Sequence, residues 1–443
     1  MDLVLRLSFI NRSFIGSIAI LASTLVCAAS PVPKYNLERT EHSEGFANKL
    51  LLPYAFSTET MGFNVGLGGM VNGAIQDQLT IGATMYGGAD SYGAALGFWN
   101  LQIPGTERWF VTGLGFLGYF PEQTAHASVP NEPIPYQRPL PGSSHSSPDD
   151  AVVGSGYSNF VELQVEYVLP IGHHRETSTL NYRTRGGLLS NPTPHKSWNP
   201  LTTGSSLIML RGFSQYESYE NPDLSEIAGS VGGLEFGLHY DNTDFVPNPS
   251  KGSRQYIAYT HDGTLLGKDR SWNAIEFDTS HYWDLGESDW ARQQVLAFNF
   301  WTAYSPSWKV IDVDGSSRYV ANGAPYSQGA SLGGWNRMRG YASNRFHDKA
   351  AIYSALEYRY TLDYNPTPDI PLLSLFQIDW LQVVPFVEVG EVAPEYSARE
   401  LFSNMKYDAG VSFRAFAAGL VVRLDYAQSP EGSALWVMAG HPF

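Results

Sequence analysis

Cysteine is almost missing from this chain: Cys27 is the only one in 443 residues. That excludes a disulfide framework and a thiolate metal site, and it suits an oxidising compartment such as a bacterial periplasm. Long apolar runs are missing as well. Beyond residue 30 no uncharged apolar stretch reaches the ~18 residues that a bilayer-spanning helix requires. Positive charge is sparse, with 28 Lys and Arg against 43 Asp and Glu and a net charge of -15. With no basic run, nucleic acid is excluded as a partner. The acids are dispersed, as expected of solvated loops.

What is abundant is aromatic residues, 14% of the chain, and glycine, 43 residues, at a mean hydropathy of only -0.20. A strand-built membrane protein has this balance, because only alternate residues of each strand face lipid. A soluble all-β protein shares part of it. The N-terminus adds an export signal. Arg6 and Arg12 flank a charged start, Ser13 to Val26 is uncharged and mostly apolar, and small residues follow at Ala28 and Ala29. This pattern predicts a signal peptide over 1–29. The apolar core is too short for a membrane anchor, and Val26 before Cys27 argues against lipidation.

Period-two alternation decides the fold class. Val161, Leu163, Val165, Tyr167 and Leu169 lie on one face of a segment whose other face carries Phe160, Glu162, Gln164 and Glu166. Leu234 to Tyr240, Ile352 to Tyr360, Tyr407 to Ala415 and Leu420 to Tyr426 alternate in the same way. The apolar faces are often aromatic, while the opposite faces carry charge and glycine. A helix would repeat every three to four residues, and these segments do not. Less regular strands are expected near 51–58, 61–71, 77–87, 92–103, 107–119, 205–217, 254–262, 271–283, 293–303, 381–390 and 434–443. The expectation is an all-β fold, a transmembrane antiparallel β-barrel of about 16 strands with a wet lumen. It is placed in the bacterial outer membrane, with outer-membrane lipid as its surroundings. The domain organisation would be signal peptide 1–29, a short periplasmic segment 30–49 and a barrel over 50–443. An even strand count puts both termini on the periplasmic side. Phe120 to Gly156 and Ser305 to Lys349 are then extracellular loops, rich in Pro, Gly and Ser. Segment 172–205 is long for a periplasmic turn, and reads as an ordered insertion or a further hairpin. Phe443, closing the last segment, has the character of a C-terminal barrel signal.

Between two expected strands lies Leu332-Gly-Gly-Trp-Asn-Arg-Met-Arg-Gly-Tyr341. It resembles the "(V/L)RG(F/Y)" loop of the BamA/TamA superfamily of outer-membrane assembly and translocation barrels, with Met338 where Val or Leu is usual. Ala355-Leu-Glu-Tyr-Arg resembles the following strand of that family, and Val384-Pro-Phe-Val-Glu-Val-Gly390 its "F-x-D-x-G" strand. Asp241, Asp244, Pro249 and Gly252 stand at the positions of its "YDTRD…PxxG" periplasmic turn, with Thr243 replacing the usual arginine. The resemblance is clear from about residue 230 onward. It implies that Arg339, with Gly340 and Tyr341 beside it, enters the lumen and pairs with Glu357 and Glu388. The alternation independently points both glutamates inward. The family's assembly and export members carry periplasmic POTRA domains, and about 20 residues between Pro31 and the first strand leave no room for one.

No catalytic residue, cofactor or metal site is expected. Gly329-Ala-Ser-Leu-Gly333 matches a nucleophile elbow, but Ser331 sits in a glycine-rich loop without the strand-to-helix context. His173 and His174 are adjacent in a loop without further ligands at metal-binding spacing. Asp312-Val-Asp-Gly315 opens like a calcium loop and lacks the closing glutamate. The implied function is assisting protein or lipid across or into the outer membrane, with barrel-assembly machinery as a partner in biogenesis and a polypeptide or lipid as possible cargo. A pore or a surface-exposed binding protein is the alternative.

Overall fold

The computed structural model describes residues 31–40, 49–58, 61–73, 75–127, 132–190, 198–220, 229–262, 271–371 and 373–443. The expected signal peptide, with Cys27, lies outside the described residues. Sixteen strands form one antiparallel sheet in which each neighbours the next along the chain. In order they are β1 Lys49–Thr58, β2 Gly62–Asn72, β3 Thr80–Gly88, β4 Tyr92–Gln102, β5 Trp109–Ala125, β6 Val152–Val168, β7 Ser205–Glu217 and β8 Gly229–Asp241. They continue as β9 Gly252–Asp262, β10 Trp272–Ser288, β11 Ala291–Tyr304, β12 Ala350–Leu362, β13 Ile378–Ala393, β14 Lys406–Ala417, β15 Leu420–Ser429 and β16 Gly432–Ala439. Each of the sixteen expected segments coincides with one of these strands.

Boundaries differ where backbone chemistry intervenes. β5 runs on to Ala125 and β6 begins at Val152, so the loop between them is shorter than Phe120 to Gly156. The ladder shifts register between Phe120 and Gln123, spanning Pro121, which has no N–H to give. Pairing then resumes. At the other end of the chain, β16 stops at Ala439 rather than reaching residue 443. Gly440 turns with φ 79, and Pro442 could not extend a ladder.

The exposure pattern is inverted relative to a water-soluble protein. Leu117, Leu163 and Phe236 are 65%, 51% and 49% exposed, whereas Arg211, Glu357, Arg359, Arg414 and Asp425 are buried. Apolar side chains form the outer face and charged ones the inner. In water, exposing that much apolar surface and burying that many charges would both be unfavourable; the arrangement is favourable only where the outer face meets hydrocarbon.

Two ends of the barrel can be distinguished. At the end where β1 begins and β16 finishes, Tyr35–Arg39 pairs in parallel with Leu180–Arg185, which turns back to Leu188–Leu189. The described part of 172–205 is therefore an ordered insertion, not another wall hairpin. Its Tyr182 packs with Phe245, Trp380, Phe416 and Val421. Two ion pairs tie the N-terminal segment to the barrel: Lys34 to Glu166 at 2.6 Å, and Arg39 Nε to Asp379 at 3.0 Å. At the opposite, long-loop end, a hairpin of Lys309–Val313 and Ser317–Ala321 pairs with Ile134–Pro135.

The sheet curls until its two edges border one cavity, lined by Leu50 and Leu52 of β1 and by Leu420 and Ala439 of β15 and β16. Asn72 Nδ2 donates to Ala418 O across this junction at 3.4 Å. Among the described residues no ladder joins β1 to β16, so a seam remains. An apolar outer face around a charged interior predicts extraction only with detergent, and faster gel migration of unheated than of boiled protein. Recovery in the soluble fraction without detergent would contradict the inverted arrangement.

Candidate functional site

The chain leaves β11 at Tyr304, forms its outer hairpin, and then turns into the barrel. Ser331–Leu332 pairs with Phe346–His347, making a narrow neck for the turn that carries Arg339. Glycine is required at the neck: Gly333 has φ 110, and a Cβ there would lie 2.2 Å from Ala342 O. Gly340 serves a different need. Its Cβ would meet Asp408 Cβ at 2.7 Å and Ser429 Cβ at 3.0 Å, so only a bare backbone comes this close to β14 and β15. Tyr341 donates from its hydroxyl to Tyr407 O at 3.1 Å and sets its ring edge-on to Phe346.

Arg339 is fully buried and surrounded by wall residues. Its backbone N–H donates to Glu388 Oε2 at 2.6 Å and its Nε to Glu388 Oε1 at 3.1 Å. Nη2 donates to Glu357 Oε1 at 3.1 Å, and Nη1 to Asp425 Oδ2 at 3.4 Å. The guanidinium lies over the Phe386 ring, 3.5 Å from its centroid. Trp436 Nε1 donates to Arg339 O at 2.8 Å, which ties the loop to β16. Glu357 and Glu388 both bond Arg339, and the turn holds Glu388 with backbone as well as side chain. The extra methylene of glutamate is thus accommodated, because one carboxylate bridges two donors of the same residue.

The network is larger than Arg339, Glu357 and Glu388. Arg414 Nη2 donates to Glu357 Oε1 at 2.7 Å, and Arg359 Nε to Glu357 Oε2 at 3.0 Å. Arg423 bonds Asp425 and, through Nη2, Trp335 O at 2.9 Å. Asp408 stands opposite Glu388 across the β13–β14 ladder. Four guanidinium groups thus face four carboxyl groups. All of the added wall residues lie on the inward faces that alternation identifies; what the sequence does not reveal is which strands become neighbours around the loop. The lumen here is dry, contrary to the expected wet interior, since the Arg339, Glu357 and Glu388 side chains have no solvent exposure. Phe443 also departs from a strand-closing position. It turns inward, where its main-chain oxygen accepts from Arg359 Nη2 at 3.1 Å and its ring lies 5.4 Å from that guanidinium.

The turn after β8 lies at the other end of the barrel and does not meet Arg339. Asp241 Oδ1 accepts from Thr243 N at 2.7 Å and from Thr243 Oγ1 at 2.6 Å. Thr243, in place of the usual arginine, therefore caps the turn locally. Asp244 Oδ1 accepts from Ser250 N at 2.8 Å and from Lys251 N at 3.0 Å, closing the loop that contains Pro249. Gly252, at φ 98, would place a Cβ 2.5 Å from Asn242 O. A second ion cluster, Arg211 with Glu162 and Glu235, spans β6 to β8. Glu162 and Glu235 are inward in the alternation, but their pairing with Arg211 is not visible there.

The residues considered for chemistry have other duties. Ser331 Oγ donates to Asn344 Oδ1 at 3.3 Å and to Phe346 O at 3.2 Å, within the neck. Asp312 Oδ1 accepts from Gly315 N at 2.8 Å in a hairpin turn. His174 is buried with Nδ1 3.0 Å from Thr177 O and Nε2 2.8 Å from Ser205 Oγ. Burial lowers its ring pKa to about 4, so the folded insertion holds a neutral imidazole.

Two outcomes follow from this geometry. Removing the cation from a fully buried network costs on the order of 3–5 kcal/mol, more than a wet lumen would exact. Arg339→Ala should expose the loop to protease while the barrel still forms. Arg339→Lys should restore little, since an ammonium cannot make the forked contact. Adding Glu388→Gln to Arg339→Ala should be milder than additive, because less stranded charge remains. Additive effects in a cycle read by thermal gel shift and limited proteolysis would identify Arg339 as a surface charge. For His174, the unfolded ring binds a proton from about pH 6.5 downward while the folded ring does not. The insertion's stability should therefore fall as pH drops from about 6.5 toward 4. Proteolysis within 172–205 should rise over that range, and the rise should flatten in His174→Gln; an unchanged profile in the variant would exclude this histidine as the cause.

Residues 212–432 match the Omp85 superfamily domain. Among solved structures, the chain is similar to BamA from Haemophilus ducreyi lacking POTRA domains 1-3, at 13% identity and TM-score 0.43 over 86% of this chain and 67% of that one. It is also similar to CdiB from Acinetobacter baumannii, at 11% identity and TM-score 0.46, and to CdiB from Escherichia coli, at 10% and 0.47. Each of those alignments covers 86% of this chain, which spans only 56% and 58% of the two CdiB chains. No curated protein sequence matches. The matched domain runs from within β7 to the first residue of β16 and contains the Arg339 loop with both of its glutamate partners: the chain belongs to the Omp85 superfamily, the BamA/TamA-type barrels.

Proposed function

We propose that this barrel sits in the bacterial outer membrane and helps a polypeptide or a lipid enter or cross it, without enzymatic chemistry. The observation that carries the reading is the seam. β1 and β16 border one cavity but share no ladder among the described residues, and an unpaired strand edge in lipid is costly unless something pairs with it or passes it. The lumen, by contrast, is occupied. The Arg339 loop packs against the inner face of β12 to β16, and the Tyr35–Arg39 sheet lies at one end. A route through the wall is thus cheaper to open than one down the axis. In this reading residues 1–29 are the signal peptide, 30–49 a short periplasmic segment and 50–443 the barrel. The Tyr35–Arg39 end faces the periplasm, and outer-membrane lipid and the barrel-assembly machinery are the partners in biogenesis.

The test bridges the seam. Leu52→Cys with Ala439→Cys places one thiol on each edge of the cavity, for closure by a short bismaleimide. Purified protein in phospholipid vesicles is offered a urea-unfolded eight-stranded barrel protein, and lipid movement is followed with a fluorescent phospholipid. The unbridged variant should accelerate one of the two, and bridging should slow it by roughly tenfold, equivalent to about 1.4 kcal/mol. Unbridged protein that accelerates neither, or a bridged form as active as the unbridged, overturns the proposal. In planar bilayers the occupied lumen should give small or flickering conductance. A large, steady, ohmic current would instead mark a pore.

A further inference from the structure

We propose that the cavity at the seam is a binding site for one acyl chain of a bilayer phospholipid. The cavity measures about 410 Å³, within the range of small-molecule sites. Its walls are the inward side chains of β1 to β4 and the last two strands, with Leu50, Leu52, Met70, Trp99 and Leu420 as the main apolar contributors. Glycines at 68 and 82 hollow out the wall between them. Tyr35 and Leu37 of the N-terminal strand close it on one side.

Polar side chains also border the space: Asp77 is exposed to solvent, while most of the others bond to protein. Asn72 Oδ1 accepts from Thr80, and Asn72 Nδ2 donates to Ala418 O at 3.4 Å. Gln78 Nε2 donates to Gln76 Oε1 at 2.9 Å. Asn100 Oδ1 accepts from Lys34 Nζ at 2.9 Å, and Thr84 is bonded to the Tyr54 hydroxyl at 2.7 Å. Arg39 holds Asp379. The lining is thus mainly hydrocarbon with a polar minority, a composition that favours a largely apolar guest.

The choice of guest follows from position. Leu51, 68% exposed, points outward between the inward-facing Leu50 and Leu52. The lipid-facing surface is therefore one strand thickness from the cavity, and the unladdered seam interrupts that wall. Hydrocarbon chains are the most concentrated apolar species at that boundary. This inference rests on the barrel's being embedded in lipid, not on what it transports.

The experiment places the protein in vesicles of phosphatidylethanolamine and phosphatidylglycerol containing a trace of phospholipid with a diazirine on one acyl chain, then maps photo-adducts by peptide mass spectrometry. Adducts should appear on Leu52, Met70 and Trp99 as well as on the outward Leu51 and Leu67. Gly68→Leu adds bulk at the cavity wall, where a Cβ would stand at ordinary contact distance, 3.5 Å from Thr84 Oγ1. It should cut the inward adducts by about tenfold and leave the outward ones and the heat-modifiable migration unchanged. Adducts confined to Leu51 and Leu67, or inward adducts that survive Gly68→Leu, overturn the site while the barrel stands. Absence of adducts on all five residues overturns lipid embedding and the site with it.

Discussion

A guanidinium cut off from water must find all of its counter-charge and most of its acceptors in protein. That requirement organises the C-terminal half of this barrel. Arg339 reaches Glu357 on β12, Glu388 on β13 and Asp425 on β15, while Trp436 on β16 holds its carbonyl. A loop that begins outside the wall thereby becomes part of the wall's interior. Arg359 extends the same network to Phe443, so the last residue is positioned by the same charges. Buried ion networks of this kind contribute more to registry than to net stability. Here registry means one depth for the loop and one inner face for five consecutive strands.

The N-terminal strands are built differently. Their inner face carries Leu50, Leu52, Gly68, Met70 and Gly82 where β12 to β15 carry arginine and carboxylate. The lumen is therefore polar and filled on one side, apolar and hollow on the other, and the seam falls where the two meet. Tyr35–Arg39 and the described part of 172–205 lie at the end where β1 begins, held by Lys34 on Glu166 and Arg39 on Asp379. Those two ion pairs connect the start of the described chain to β6 and β13, far apart around the sheet. The end cover is thus fastened to both sides of the barrel.

Local chemistry accounts for the places where the strand pattern yields. Pro121 disturbs a ladder that then recovers, and Gly440 with Pro442 ends one that would otherwise reach the terminus. Thr243 shows a substitution absorbed without long-range consequence: it caps Asp241 from two residues away, and the turn keeps its shape without an arginine.

The sequence by itself determined the wall. Alternation is a property of each strand alone, so all sixteen strands and their inward charges could be read from residue order, whereas the pairing of Arg339 with two of the glutamates was implied by the family resemblance. It also determined the loop's key residue types, since Arg-Gly-Tyr is a local string. The tertiary structure alone decided the rest. Arg414, Arg423 and Asp425 join Arg339 because strands far from residue 339 in sequence stand around one point. The dryness of that point depends on how completely a loop fills a lumen, the Tyr35–Arg39 strand pairs with residues about 145 positions away, and the seam cavity exists only once the first and last strands meet. Each of these depends on distances around a curled sheet, and period two carries no information about those.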